Sequence, residues 1–219
     1  MCAVADAGTP PPATGLAKAG QDLVEQLLKV GVNGFGPFTS AQNAAEEAMK
    51  GRSKEQAIKV LTRNHCLIAG SQGFVTNIGG FLTMPVALPA NIGAAYLIQT
   101  HLAAAIAHVH GHDLDTDEVR TAILLCLLGN AGTEVLKQFG IKIGGKYTMT
   151  LIQKIPMAVI HQINKKAGFY LVAKFGTKRA SIALAKGIPL VGGAIGGSMD
   201  AVATAAVGTF ADKFFRPVK

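Results

Sequence analysis

NHCLIAGSQGFVTNIGGFLTMPVALPANIGAAYLIQTHLAAAIAHVHGH, the stretch from Asn64 to His112, contains no Asp, Glu, Lys or Arg. An unbroken apolar segment of this length reads as one or two membrane spans. Here Gly70, Gly73, Gly79, Gly80, Pro85, Pro89 and Gly93 interrupt it, and glycine and proline at such spacings break or kink a continuous helix. The chain must bury this surface, either against its own helices or against lipid.

Helical periodicity continues on both sides. Leu23, Leu27 and Val30 stripe a helix over 16–30, which the glycines from Gly31 onward are expected to stop. Thr39 or Ser40 can cap a short helix ending at Gly51. Ser53-Lys54-Glu55-Gln56 is a capping box, in which the Ser hydroxyl and the Gln amide satisfy orphan backbone groups, so a helix carrying Ile58, Leu61, Cys66 and Ile68 opens there. Pro89 suits the first turn of a long helix to His110 stopped by Gly111, and Asp115 with Glu118 starts its hairpin partner through Leu128. Further helices are expected over 133–139, 142–155, a Pro156-kinked continuation to Lys166, 169–186 and 189–215. No alternating run competes with them, so the fold class is all-α: a compact multi-helix domain with Gly/Pro-broken apolar helices and a glycine-rich C-terminal helix.

The 219 residues suit one domain, 16–219, behind an N-terminal tail, 1–15, whose Thr9-Pro10-Pro11-Pro12 run reads as disordered and unlike a secretory signal. Charged residues make up only 16% of the chain, against about 25% in ordinary soluble domains. The net charge is nevertheless +8. From Val119 to Met199 the only acid is Glu134, among Arg120, Lys137, Lys142, Lys146, Lys154, Lys165, Lys166, Lys174, Lys178, Arg179 and Lys186. A block of one sign points to an anionic partner. Because aliphatic residues interleave with it and no nucleic-acid module is present, anionic lipid is expected and nucleic acid is not. Cys2, Cys66 and Cys126 are odd in number and lack paired metal spacing, which suits a reducing, cytosolic setting.

Several motifs imitate chemistry without completing it. Gly140 to Tyr147 has P-loop spacing, but Tyr147 stands where a magnesium-binding hydroxyl belongs. Gly70-Ser71-Gln72-Gly73 imitates a nucleophile elbow followed by Asp113 and His161, yet the residues before Ser71 keep a helical period where an elbow needs a strand. His101 and His108 share a helical face while His110 turns nearly opposite, so no metal site is expected among them. Asp113, Asp115 and Asp117 open like a calcium loop, but Glu118 and Leu124 occupy the positions of its glycine and its bidentate Glu. No catalytic set and no cofactor follow from these patterns.

In the last helix Gly193, Gly197, Asp200, Thr204, Gly208 and Ala211 fall on one side, a smooth strip suited to close helix packing through Gly193, Gly197 and Gly208. Asp200, His101, His108 and Asp113 are the candidates for buried polar or pocket positions. Lys142, Lys146, Lys165, Lys166, Lys174, Lys178 and Arg179 are the candidates for lipid or anion contact.

Gly73 to Pro89, with Gln99, Gly111-His112-Asp113-Leu114-Asp115, Glu118-Val119-Arg120, Gly192 to Gly197 and Asp200, resembles the EcsC family. The resemblance runs from about Ser53 to Phe215 and brings no catalytic activity with it. The residues support a protein docked on the inner membrane leaflet through a basic amphipathic surface, cytoplasmic and peripheral. Gly187 to Ala211 is long enough to span, but Pro189 and Asp200 oppose it, a central Asp costing about 2.5–3.5 kcal/mol. The alternatives are a helical carrier or enzyme with a cavity for an apolar ligand, and a scaffold for a membrane-protein partner.

Overall fold

The computed structural model describes residues 15–34, 38–78, 84–141, 149–185 and 189–217, and the side chains among them except at 15–19, 72–78, 84–94, 172, 174–185 and 189–196. Among the described residues there are nine helices and no strand: α1 (Gly15–Asn33), α2 (Ala41–Met49), α3 (Lys54–Ile78), α4 (Met84–His110), α5 (Asp117–Leu128), α6 (Asn130–Gln138), α7 (Met149–Ile152), α8 (Met157–Ala185) and α9 (Pro189–Phe215). The all-α expectation holds. The expected tail lies outside the described residues apart from Gly15, where α1 begins.

Local chemistry starts several of these helices. Ser40 Oγ accepts the Asn43 N–H at 3.2 Å and caps α2. The capping box of α3 is complete, with the Gln56 N–H donating to Ser53 Oγ at 3.3 Å and the Ser53 N–H donating to Gln56 Oε1 at 2.9 Å. Gly34, at φ +101°, ends α1 in a backbone conformation that side chains disfavour.

α3, α4 and α9 form the centre. Thr62 of α3 and Leu102 of α4 both meet Gly208 of α9, where an added Cβ would lie 2.9 Å from Thr62 Oγ1 and 3.3 Å from Leu102 Cδ2. Further along α3, the Cβ position of Gly70 is 3.5 Å from the Gly197 carbonyl oxygen. Thr62 opposite Gly208 and Gly70 opposite Gly197 make α3 and α9 antiparallel, while Leu102 beside Gly208 and His110 bonded to Asp212 make α4 and α9 parallel. The outer helices close around them. α5 buries every residue from Thr121 to Leu128 between α4 and α8, and α1 crosses α8 where Gly20 meets Gly168. Phe214, Phe215, Leu102, Ile106, Ile123 and Leu136 are among the fully buried side chains of the one core.

Several boundaries depart from the sequence reading, each for a local reason. α1 continues through Gly31, whose missing side chain admits Thr100 of α4; a Cβ there would sit 2.8 Å from Thr100 Cβ. α4 begins at Met84, since Pro85 suits a first turn as well as Pro89 does. Thr116, rather than Asp115, occupies the N-cap of α5, because the Asp115 carboxylate pairs with Arg120 at 3.0 Å. α6 starts at Asn130, directly after Gly129. Of the helix expected over 142–155, residues 142–148 lie outside the described residues and Met149–Ile152 forms α7. Pro156 precedes α8 instead of kinking it, and α8 runs unbroken past Gly168.

Candidate functional site

The helix directions gather the chain's charge-free segments at one end of the bundle. Because α3 runs against α4 and α9, the end of α3 and the starts of α4 and α9 lie at one end of the bundle, and α8 delivers its C-terminus there through the short join to α9. The described segments gathered at this end are 64–78 of α3, the first half of α4 and 189–199 of α9, none of which carries a charged residue. Its described part exposes Leu67 of α3, 62% accessible, and Met199 and Val202 of α9, the latter 69% accessible. The opposite end holds Glu55, Asp113, Asp115, Asp117, Glu118 and Asp212 interspersed with Lys54, Lys59, Arg120, Lys213 and Arg216, at the start of α3, the α4–α5 turn and the end of α9.

Basic residues run along α8 toward the charge-free end. Lys165 is exposed and Lys166 half-buried, and Lys165 stands one helical turn from the exposed ring of Phe169. Among the described residues Lys154, Lys165 and Lys166 form no ion pair, all the pairs described involving other groups. Lys174, Lys178 and Arg179 lie on the C-terminal half of α8, with side chains outside the described ones. Lys142 and Lys146 lie outside the described residues altogether.

Histidines tie the acidic end together. His110 donates from Nε2 to Asp212 Oδ1 at 2.9 Å, and the second oxygen of Asp212 accepts from Arg216 at 2.6 Å. Burial holds His110 below its ordinary pKa even though the Asp212 carboxylate pulls the other way. His112 donates to the Phe215 carbonyl at 2.8 Å, so two consecutive contacts fasten the end of α9 to the end of α4. His108 turns instead toward α2, with Nε2 3.7 Å from Glu46.

A second histidine group is buried deeper. His101 of α4 faces His65 of α3, Nδ1 to Nε2 at 2.8 Å; His65 Nδ1 contacts the Leu61 carbonyl at 2.7 Å, and His101 Nε2 contacts the Thr39 carbonyl at 2.9 Å. Both imidazoles are nearly inaccessible, and the Phe38 ring packs against both with centroids 5.3 and 4.8 Å away. His65 carried no signal in the sequence beyond its place in the charge-free run, because its partner is supplied by another helix.

The four candidate polar positions are not assembled into one pocket. His101 sits in the buried pair, His108 faces α2, and Asp113 is exposed in the α4–α5 turn, where its Oδ1 accepts the Asp115 N–H at 2.9 Å. Asp200 is half-buried on α9, one turn from Gly197. Gly197 and Gly208 face α3, whereas Gly193 belongs to the part of α9 whose side-chain surroundings are outside the described ones. Ser71, Asp113 and His161 stand on three separate elements, and the helix runs straight through Ser71, whose hydroxyl donates to the Ile68 carbonyl at 2.9 Å. Gly140 ends α6 with its N–H on the Lys137 carbonyl, as a helix stop does. Among the described residues no three of His, Cys, Asp and Glu gather as metal ligands, and no helix is long and apolar enough to cross a membrane.

The EcsC protein family model matches residues 39–217, starting at Thr39 and so ahead of the capping box at Ser53. No curated protein and no solved structure matches the chain.

Proposed function

Since the chain belongs to the EcsC protein family, a membership that brings no reaction with it, we propose on physical grounds that it docks on an anionic membrane surface from the cytoplasmic side. The reading rests on one observation: the charge-free ends of α3, α4 and α9 converge at one end of the bundle, and the basic α8, which holds no acid, runs toward that same end. A charge-free end approached by a helix with cations and no acid suits negative lipid, with the apolar end leading. Lys165 and Lys166 of α8, which form no ion pair among the described residues, are then available to headgroups. Intramolecular stability alone gives no reason to exclude Asp and Glu from so long a segment.

Binding of the full chain to vesicles tests this. Each lysine near an anionic surface contributes about 1 kcal/mol, so changing Lys142, Lys146, Lys174 and Lys178 together to glutamine should weaken partitioning into phosphatidylserine-rich vesicles by roughly a thousandfold. Glutamine forms helices nearly as well as lysine, so the fold should survive, as circular dichroism can check. Salt should imitate the substitutions in part, and neutral phosphatidylcholine vesicles should bind poorly from the start. Equal binding by the wild type and the quadruple variant, or no binding to anionic vesicles at low salt, would overturn the proposal and favour the apolar-ligand or scaffold alternatives.

A further inference from the structure

The buried histidine pair poses a counting problem. Three contacts run in series: the Leu61 carbonyl to His65 Nδ1 at 2.7 Å, His65 Nε2 to His101 Nδ1 at 2.8 Å, and His101 Nε2 to the Thr39 carbonyl at 2.9 Å. Carbonyl oxygens only accept, so both outer nitrogens must carry hydrogen, and the inner contact needs one more between its two nitrogens. Three contacts therefore require three protons. Two neutral imidazoles carry two.

If the pair stays neutral, one of the three contacts sets a nitrogen lone pair against an oxygen or nitrogen lone pair at hydrogen-bond distance, inside a site from which water is largely excluded. If it takes up one proton, all three contacts become hydrogen bonds and a single positive charge is shared along the chain. The aromatic face of Phe38 lies within reach of both rings, a placement that favours a cation. The carboxylates described on the neighbouring elements are engaged or placed elsewhere. On α2, Glu46 faces His108; on α9, Asp212 is held by His110 and Arg216; and on α1, Asp22 and Glu25 are exposed, while Gly31 is the residue packed on α4 beside His101. Among the described residues, the titratable group that acts on His65 of α3 is His101 of α4.

The geometry points to His65 and His101 as one buried proton-binding site, whose shared proton holds Thr39, in the connection between α1 and α2, onto α4. Burial is the largest cause lowering both imidazoles, His65 to about 4, even with the Leu61 and Thr39 carbonyls pulling the other way, so holding the shared proton falls to the bond between the two rings, which is satisfied only with both outer bonds in place. Closing the link and binding the proton are thus the same event. The sign follows directly. The closed arrangement holds one proton more than the arrangement with the Thr39 contact broken, so lowering the pH favours closure, and the link opens as pH rises through the pKa of the closed pair. Of the three contacts, the one to Thr39 yields first, because Thr39 is an exposed residue of a connection whereas Leu61 is fixed in the same helix as His65.

Two measurements on the full chain test the site. In histidine-labelled protein, nitrogen resonances across about pH 5 to 8 should show three of the four ring nitrogens protonated in the closed form, with His65 Nδ1 and His101 Nε2 protonated together. Backbone amide protection over 38–44, taken relative to α5 as an internal reference for global opening, should rise by up to tenfold for each pH unit lowered, as a one-proton linkage demands. His101→Gln removes the need for the proton, because its one amide nitrogen can donate to both the Thr39 carbonyl and His65 Nε2. Protection in that variant should be independent of pH. His65→Gln offers the same test from the other side, its amide donating to the Leu61 carbonyl and to His101 Nδ1. A flat pH profile in the wild type, a slope retained in both variants, or outer nitrogens never protonated at the same time would each overturn the inference.

Discussion

Adding one methyl group at Gly168 should destabilise the protein, while adding the same group at Gly70 should not. Where α1 crosses α8, a Cβ on Gly168 would lie 2.8 Å from the Gly20 carbonyl carbon and 3.0 Å from Val24 Cγ2, and a Cβ on Gly20 would lie 2.8 Å from the Gly168 carbonyl carbon. Carbon atoms rest comfortably at about 3.5–4.0 Å, so Gly168→Ala has to part the two helices by roughly 1 Å. The nearest opposing atoms, those of Gly20, are backbone and cannot swing aside. Overpacking of this kind costs about 1–3 kcal/mol, and the rigid neighbour puts this case toward the upper end. Alanine returns about 1 kcal/mol through its better helix propensity, leaving a net loss of roughly 1–2 kcal/mol. At Gly70 the nearest atoms to an added Cβ are the Gly197 carbonyl oxygen at 3.5 Å and Ala201 Cβ at 3.6 Å, ordinary contacts. There the propensity term stands nearly unopposed, so Gly70→Ala should be neutral or stabilising by up to about 1 kcal/mol. In a chain of this length 1 kcal/mol moves the melting midpoint by about 2–4 °C, and the two variants should separate by roughly 5–10 °C in thermal unfolding. If Gly168→Ala melts with the wild type, or below it by no more than Gly70→Ala does, the close crossing of α1 and α8 is not a packing constraint and the reasoning fails.

Two further outcomes follow from local contacts. Ser53→Ala removes the hydroxyl that accepts the Gln56 N–H and should cost about 1 kcal/mol, read as a melting midpoint lower by about 2–4 °C; an unchanged midpoint would mean that the capping box contributes nothing. Burial lowers the His110 pKa, so the unfolded chain binds its proton more readily and stability should fall as pH drops through the ordinary histidine range. The Asp212 carboxylate opposes that shift. Asp212→Asn should therefore lose more melting temperature between about pH 7.5 and pH 5.5 than the wild type loses, and equal losses would show that the His110–Asp212 contact does not influence titration.

What could be read from the sequence was settled within a few residues. The capping box at Ser53 and the stripe of Leu23 and Leu27 depend only on neighbours along the chain, and the charge-free run from Asn64 to His112 is long enough to require burial, whether against the protein's own helices or against lipid. The charge imbalance of α8 was equally plain as a sign, but the convergence of the apolar helix ends emerges only when Thr62 is set against Gly208 and Leu102 beside it. Pairings across long separations left no trace. His110 gave no hint of Asp212, nor His65 of His101, because nothing near either residue differs from an ordinary helix.

Glycine shows the physical limit most clearly. Gly31 and Gly34 lie three residues apart in similar surroundings, yet Gly34 takes φ +101° and ends α1 while Gly31 stays helical and admits Thr100. The same division separates Gly140, at φ +71° and ending α6, from Gly168, which lets α8 pass within contact distance of α1. A missing side chain permits both uses: it removes the penalty for positive φ, and it removes the atom that would keep two backbones apart. Which one operates is decided by the partner helix, through whether any backbone or side chain comes close enough to need the space. Gly208 on α9 belongs to the second kind, and its close approach to Thr62 fixes α9 against α3 in the antiparallel sense that brings their apolar ends together at the end proposed to meet lipid.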